Sequence, residues 1–290
     1  MTAASASESL PRQGGRDHIV DVLIAERAPR LTSSPAWPLL RPLLHGLLDY
    51  GKARRMAETI APMPGRAALE HVSRLLDVRL AVRGLERIPR HGRLIVVANH
   101  PTGMADGVAV YDALKAVRPD LCFYANADAH RVSPRFGEVL IPVEWVEAKR
   151  TRERTRLTLT LTREALEAER ALVIFPAGRL ARRGADGALN DPPWAPSALS
   201  LARRYAAPVA PIHVAGPVSR LFHLFDRVSP ELRDITLFHE MLNKRGRTFS
   251  LTIGPPIAPA AFGADAVAAT LRLKAYVEQQ LAADPDRPFA

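Results

Sequence analysis

Leu94-Ile-Val-Val-Ala-Asn-His-Pro-Thr-Gly-Met-Ala-Asp106 is the stretch around which the rest of the chain is organised. Five apolar residues run directly into Asn99 and His100. Pro101, Thr102 and Gly103 then break the pattern, and a helix-like apolar segment follows from Met104. A strand that turns sharply into a helix delivers its last side chains to the carboxyl edge of a sheet, where open α/β folds keep their ligands. Asp106 lies six positions after His100, near enough for its carboxylate to meet one ring nitrogen across the turn. Such a bond fixes the tautomer and leaves the other nitrogen as a base. A plain structural reading stands beside this one, with Asp106 as a charge near a helix N-terminus and His100 as a satisfied strand-end histidine.

Outward from this strand, short apolar runs alternate with helical patterns. Strands are expected at Val78–Val82, Leu94–Ala98, Leu121–Tyr124, Val139–Val143, Ala171–Phe175, Val209–Val214 and Phe249–Ile253. Helices are expected at Met104–Val117, Arg152–Ala168, Ser197–Tyr205, Glu231–Asn243 and Asp265–Ala282, after earlier ones at Asp17–Glu26 and Gly65–Leu76. This alternation predicts an α/β fold: a mostly parallel or mixed sheet of about seven strands flanked by helices, with a helical N-terminal part. Leu157-Thr-Leu-Thr-Leu-Thr162 alternates like a strand, but it continues into the strongly helical Arg163–Arg170 and is read as helix throughout. Residues 1–16 read as a disordered lead-in, 17–65 as the helical N-terminal part and 66–290 as the α/β domain; Arg27–Pro35 reads as a loop.

Within the N-terminal part, Leu40, Leu43, Leu44, Leu47 and Leu48 recur at helical spacing in a helix beginning near Pro42, with Arg41, His45, Asp49 and Lys52 on the other side. Periodicity alone favours packing of this apolar face on the protein body over a seat in a membrane interface.

Hydrophobic residues make up 47% of the 290, enough for a sizeable core and too many for wholesale disorder. The single cysteine, Cys122, excludes an internal disulfide framework and a thiolate zinc cluster, and its apolar setting reads as a buried strand. The net charge of +10, carried mostly by arginine, suits nucleic acid, anionic lipid or phosphorylated ligands without choosing among them. No segment reaches the roughly 18 apolar residues of a membrane span, and the N-terminus lacks a secretory layout. The expectation is a cytoplasmic protein, or one attached to the membrane from that side. The basic runs Lys149–Arg156 and Lys244–Arg247 have little aromatic interleaving, which weakens a single-strand nucleic-acid reading; they suit solvated faces or anionic headgroups.

A second informative stretch is Ala171-Leu-Val-Ile-Phe-Pro-Ala-Gly-Arg179. Again an apolar strand ends in a Pro/Gly turn, with Gly178 allowing close backbone approach and Arg179 offering a planar fork for an anion. His213, flanked by apolar residues inside a strand, reads as structural. There is no Gly-x-Ser-x-Gly elbow, no phosphate loop of the Gly-Lys-Ser/Thr type and no Gly-x-Gly-x-x-Gly after a strand.

Asn99-His-Pro-Thr-Gly-Met-Ala-Asp-Gly107 resembles the first motif of the lysophospholipid/glycerolipid acyltransferase superfamily. The usual motif has four residues between His and Asp. The five found here resemble the hemolysin-like branch, which includes the acyltransferases of ornithine-lipid synthesis. Phe175-Pro-Ala-Gly178 resembles the Phe-Pro-Glu-Gly acceptor motif, with Ala177 in place of the Glu and Arg179 where Thr is common. Val209–His213 through Arg220-Leu-Phe222, Leu242–Gly246, Ile253–Ile257 and Glu26–Arg30 extend the resemblance over about residues 17–257.

The resemblance implies acyl transfer from acyl-CoA or acyl-carrier protein to a lyso-lipid or glycerolipid hydroxyl. In it His100 is the general base and Asp106 its support. Asn99, Thr102, Gly103, Pro176, Gly178 and Arg179 line the substrate site. Backbone amides of Pro101–Gly103 or of Pro176–Gly178 are the candidate oxyanion donors. The resemblance implies no metal, no tightly bound cofactor and no nucleic-acid partner. It also implies peripheral contact with an anionic membrane on its cytoplasmic face, which turns the Leu40–Leu48 face into a candidate interfacial anchor. The altered acceptor motif makes a lyso-lipid or amino-lipid acceptor more plausible than a glycerol phosphate. A competing expectation is a lipid- or nucleic-acid-binding protein that keeps the scaffold without catalysis.

Overall fold

The structure is a computed structural model that describes residues 17–144, 150–184 and 187–290; the expected lead-in and Lys149 lie outside them. The N-terminal part holds α1 (Ile19–Arg27), α2 (Pro29–Thr32), α3 (Trp37–Leu47), α4 (Tyr50–Ile60) and α5 (Gly65–Leu76). Then come β1 (Arg79–Arg83), β2 (Leu94–Ala98), α6 (Met104–Leu114), β3 (Cys122–Asn126), α7 (Asp128–Val132), β4 (Leu140–Val143), α8 (Arg152–Glu167) and β5 (Ala171–Ile174). A small hairpin, β6 (Arg182–Arg183) and β7 (Leu189–Asn190), precedes α9 (Ser197–Arg204), β8 (Val209–Ala215), α10 (Arg220–Val228), α11 (Pro230–Asp234), α12 (Leu237–Leu242), β9 (Thr248–Ile253) and α13 (Ala266–Ala275). The last helix continues through a π turn at Tyr276–Gln280 into Leu281–Ala283.

The main sheet has seven strands in the order β1-β9-β8-β2-β5-β3-β4, parallel except for the β8–β9 pair. All seven expected strands are present within a residue or two. Central strands read as unbroken apolar runs because both faces are covered. Leu94, Val96 and Ala98 of β2 face a core shared with α4, α5 and α6. Ile95 and Val97 face the opposite core, built with α8, α9 and α13. Edge strand β1 alternates between exposed and half-buried residues.

The connections explain where a site can form. From β2 the chain leaves through α6 on one face of the sheet, toward β3. From β5 it leaves through α9 on the other face, toward β8. Neighbouring parallel strands whose connections part in this way open a crevice at their carboxyl ends. The turns after β2 and β5 are the two informative stretches of the sequence.

Several expectations need correction. The Arg27–Pro35 loop contains α2, because the Glu231 carboxylate accepts hydrogen bonds from the Arg30 and Leu31 amides at 3.1 and 2.7 Å and satisfies a helix start that local sequence does not. Helix α3 begins at Trp37, with Pro38 in its first turn and Pro42 inside it. The expected helix Glu231–Asn243 is two helices. Thr236 turns its hydroxyl back onto the Arg233 carbonyl at 2.6 Å, and its own carbonyl starts the next helix by accepting from the Glu240 amide. Helices α4 and α10 were not among the expected elements. Helix α8 does form through the alternating Leu-Thr run; Thr158 and Thr162 bond back to the carbonyls of Arg154 and Thr158, which satisfies their hydroxyls within the helix.

The run Lys244–Arg247 is only partly a solvated face. Lys244 is buried, with its Nζ 3.2 Å from Oε2 of the equally buried Glu240. Burial holds its ammonium below the ordinary lysine range, partly opposed by Glu240. Lys244→Ala, which strands the carboxylate, is expected to cost roughly 3–5 kcal/mol in urea unfolding. The double change Glu240→Leu/Lys244→Met, which removes both charges, is expected to recover most of that loss.

Candidate active site

His100 follows β2 directly and sits at the mouth of the crevice. Its Nδ1 lies 3.0 Å from Asp106 Oδ2. The same carboxylate accepts the backbone N–H of Thr102 at 2.8 Å and of Gly103 at 2.9 Å, and its Oδ1 accepts the Thr102 hydroxyl at 2.6 Å. Asp106 has no exposed surface, so these four donors replace water completely. A carboxylate so surrounded only accepts, which assigns the ring proton to Nδ1. Nε2 makes no hydrogen bond among the described residues, and the ring keeps 15% exposure, so a lone pair faces outward.

Gly103 sets the shape of the turn between His100 and Asp106. Its φ of 91° is in the range that side chains disfavour. A Cβ there would also stand 3.1 Å from Leu180.

The turn after β5 closes the other side. The Phe175 ring lies 4.5 Å from the imidazole, centroid to centroid. The Ala181 amide donates to the His100 carbonyl at 2.9 Å, joining the two turns. Pro176 is buried, Gly178 takes φ 62°, and Arg179 is exposed.

The other expected site residues lie around the same crevice, with part of their polarity used internally. The Asn99 amide exchanges two hydrogen bonds with the Val214 backbone, at 2.9 and 2.6 Å, and so clamps β2 to β8. The amides of Thr102 and Gly103 both point to Asp106. That leaves the turn after Pro176, where the Ala177 and Arg179 amides make no backbone hydrogen bond among the described residues. His213 is held by the Val277 carbonyl at 3.0 Å, as its apolar setting suggested. Cys122 is buried, and burial raises its thiol to about 11.

Asp191 escaped the sequence reading. It follows β7, and both its carboxylate oxygens lie within 3.1 Å of the His100 amide nitrogen. Trp194 Nε1 donates to it at 2.9 Å, and its own amide donates to Glu278 at 2.8 Å. Glu278 stands on the π turn and is paired with Lys274. The only local hint was an Asp set before Pro-Pro-Trp; the link spans 91 residues.

Residues 79–215, from the first residue of β1 to the last of β8, match the family model described as Acyltransferase. The matched segment carries both turns of the site and is similar to that family. Two relatives are named lyso-glycine lipid O-acyltransferase. The one from Phocaeicola vulgatus is 28% identical over 199 residues, 65% of this chain and 68% of that protein. The one from Bacteroides thetaiotaomicron is 26% identical over 195 residues, 65% of this chain and 70% of that protein. A solved 1-acyl-sn-glycerophosphate acyltransferase from Thermotoga maritima aligns over 92% of this chain and 97% of its own, with a TM-score of 0.49 and 15% identity.

Burial pushes the Asp191 carboxyl up to about 6, against the hydrogen bond from Trp194 and the charge of His100. Unfolded carboxylates titrate near roughly 4. The folded chain therefore holds this proton more tightly, and the group favours folding at low pH. That contribution is lost as pH rises through about 6. Asp191→Asn removes the titration. Urea unfolding from pH 4 to 8 should show the variant gaining stability relative to the wild type up to about pH 6, then a constant gap. Parallel profiles would show that Asp191 titrates normally.

Proposed function

We propose that the enzyme moves a fatty acyl group from an acyl thioester to the hydroxyl of a lyso-lipid, with His100 as general base. The observation that carries this reading is the outward Nε2 of an imidazole whose Nδ1 is held 3.0 Å from a fully buried Asp106. The acceptor hydroxyl gives its proton to Nε2 while its oxygen attacks the thioester carbonyl. The Asp106 carboxylate supports the imidazolium. The tetrahedral oxyanion takes hydrogen bonds from the free amides of the 177–179 turn. Collapse breaks the C–S bond, and the imidazolium returns its proton to the leaving thiolate. No acyl-enzyme forms, in keeping with a chain that has no nucleophile elbow.

The relatives' names favour an amino-acid lipid acceptor acylated on oxygen. A glycine headgroup presents a carboxylate, which suits the planar fork of Arg179 better than a carboxylate side chain at position 177 would. Arg182, with a buried Nε–H that has no acceptor among the described residues, is a second cation on the same segment.

An amphiphilic acceptor calls for peripheral membrane contact, on the cytoplasmic face in this reading. Among the described residues no helix is long and apolar enough to span a bilayer. Helix α3 splits its apolar face. Leu44 and Leu48 pack inside, while Leu39, Leu43, Leu47 and Leu40 remain 81%, 69%, 46% and 37% exposed. Helix α10, whose Leu221 and Phe225 rest on the same small cluster, exposes Leu224 and Val228. The two helices present apolar surface around one support, which suits an interfacial seat.

His100→Ala is expected to remove turnover in an assay with acyl thioester and a lyso-amino-acid lipid, with the melting transition kept. Asp106→Asn retains the size but loses the charge and one of the two accepting oxygens, and should lower kcat by roughly 10²-fold or more. Near-normal rates in either variant would sink the mechanism. Leu43→Ser/Leu47→Ser should weaken flotation with anionic vesicles by about tenfold or more, since each buried leucine contributes about 1.5–3 kcal/mol. Undiminished flotation would remove α3 from the membrane contact.

A further inference from the structure

A groove of about 560 Å³ runs between α8 and α9, away from His100. Arg150, Arg152, Arg156, Arg163 and Arg204 line it, and no carboxylate does. Arg152, Arg156, Leu159 and Arg163 fall at i, i+4, i+7 and i+11 on α8, a single stripe about 16 Å long at 1.5 Å per residue. Arg152 and Arg156 have no ion-pair partner among the described residues, whereas Arg163 reaches Glu167 only at 4.0 Å. Leu159 is 54% exposed in the middle of the stripe, and Arg204 lies against the Tyr205 ring at the far end. Unpaired cations aligned in this way repel one another until an anionic partner arrives. A row of cations with one exposed leucine among them suits an amphipathic acidic helix.

The faces of the sheet decide what kind of partner reaches it. Helices α8 and α9 cover the side of Ile95 and Val97. Helices α1, α4, α5 and α6 cover the other side, and α3 packs on these N-terminal helices. With the α3 leucines seated on a bilayer, the arginine groove turns toward water, so its occupant is soluble. The groove's upper end, at Arg150 and Arg152, follows β4 and lies on the same sheet edge as His100. Three strand spacings, about 14 Å, separate β4 from β2.

We propose that this groove is the docking surface for an acidic acyl-carrier protein, which presents its thioester arm along the sheet edge to His100. The proposal rests on the acyl-transfer and membrane readings above for the identity and side of its partner. Its test needs no turnover. Titration calorimetry of holo-acyl-carrier protein, without acceptor, compares the wild type with Arg152→Glu/Arg156→Glu and Arg152→Gln/Arg156→Gln at low and physiological salt. Vesicle flotation and melting are measured alongside.

The expected result is wild-type binding that weakens with salt, at least a tenfold loss in the Glu pair and an intermediate loss in the Gln pair. Flotation and melting should not change. No binding by the wild type, or equal binding by the variants, would overturn the proposal. So would loss of flotation with carrier binding kept, which would make the groove a lipid-headgroup surface. A raised KM for acyl-CoA with carrier binding kept would make it a nucleotide-phosphate site and would overturn it too. Because binding is read directly, an inactive His100 variant that still binds carrier separates this proposal from the catalytic one.

Discussion

A carboxylate without solvent contact has to be satisfied by the protein around it, and Asp106 is satisfied by the residues that form the turn it closes. The Thr102 and Gly103 amides, the Thr102 hydroxyl and the His100 ring all donate to it. Leaving such a group short of partners costs several kcal/mol, so the end of β2, the turn, the first turn of α6 and the imidazole keep one geometry together. The position also suits the charge, because Asp106 stands in the first turn of a helix. The contact with His100 and the capping of the turn by Asp106 are therefore one arrangement. The cap is what fixes the tautomer.

The second acid near His100 behaves differently because its surroundings differ. Asp191 approaches from the hairpin after β5 and holds the backbone of His100, leaving the ring to Asp106. It has fewer donors, and burial dominates its titration. Behind it stand Glu278 and the π turn, whose Val277 carbonyl also holds His213. Irregular helical turns of this kind expose carbonyls that a regular helix would use internally. Here that allows the last helix to brace two strands at the site's rear.

What the sequence revealed follows from how local each determinant is. The strands were legible because parallel strands covered on both sides are plain apolar runs. The His100–Asp106 contact was legible because six residues of turn bring the two together. Helix α2 was not, since its start depends on a carboxylate 200 residues away. The break at Thr236 was not, because a single hydroxyl facing its own chain decides it. Asp191 was hidden for the same reason as α2, with its partner far along the chain. That the Thr102 and Gly103 amides are already taken up by Asp106 was also hidden, because it depends on the shape of the turn.

Helix α3 shows where periodicity itself runs out. Its leucines cover about half of the helix circumference, wider than a single neighbouring element fills. Sequence spacing therefore admitted both a core face and a membrane face; in the structure Leu44 and Leu48 turn inward, and Leu39, Leu40, Leu43 and Leu47 stay exposed. The arginines of α8 are placed with the opposite asymmetry, on the far face of the sheet. The proposed reaction, which joins a lyso-lipid to an acyl group brought by a soluble carrier, needs two approaches to a single edge. A central sheet whose faces differ this much in chemistry offers them, with the His100 imidazole at the edge where both faces end.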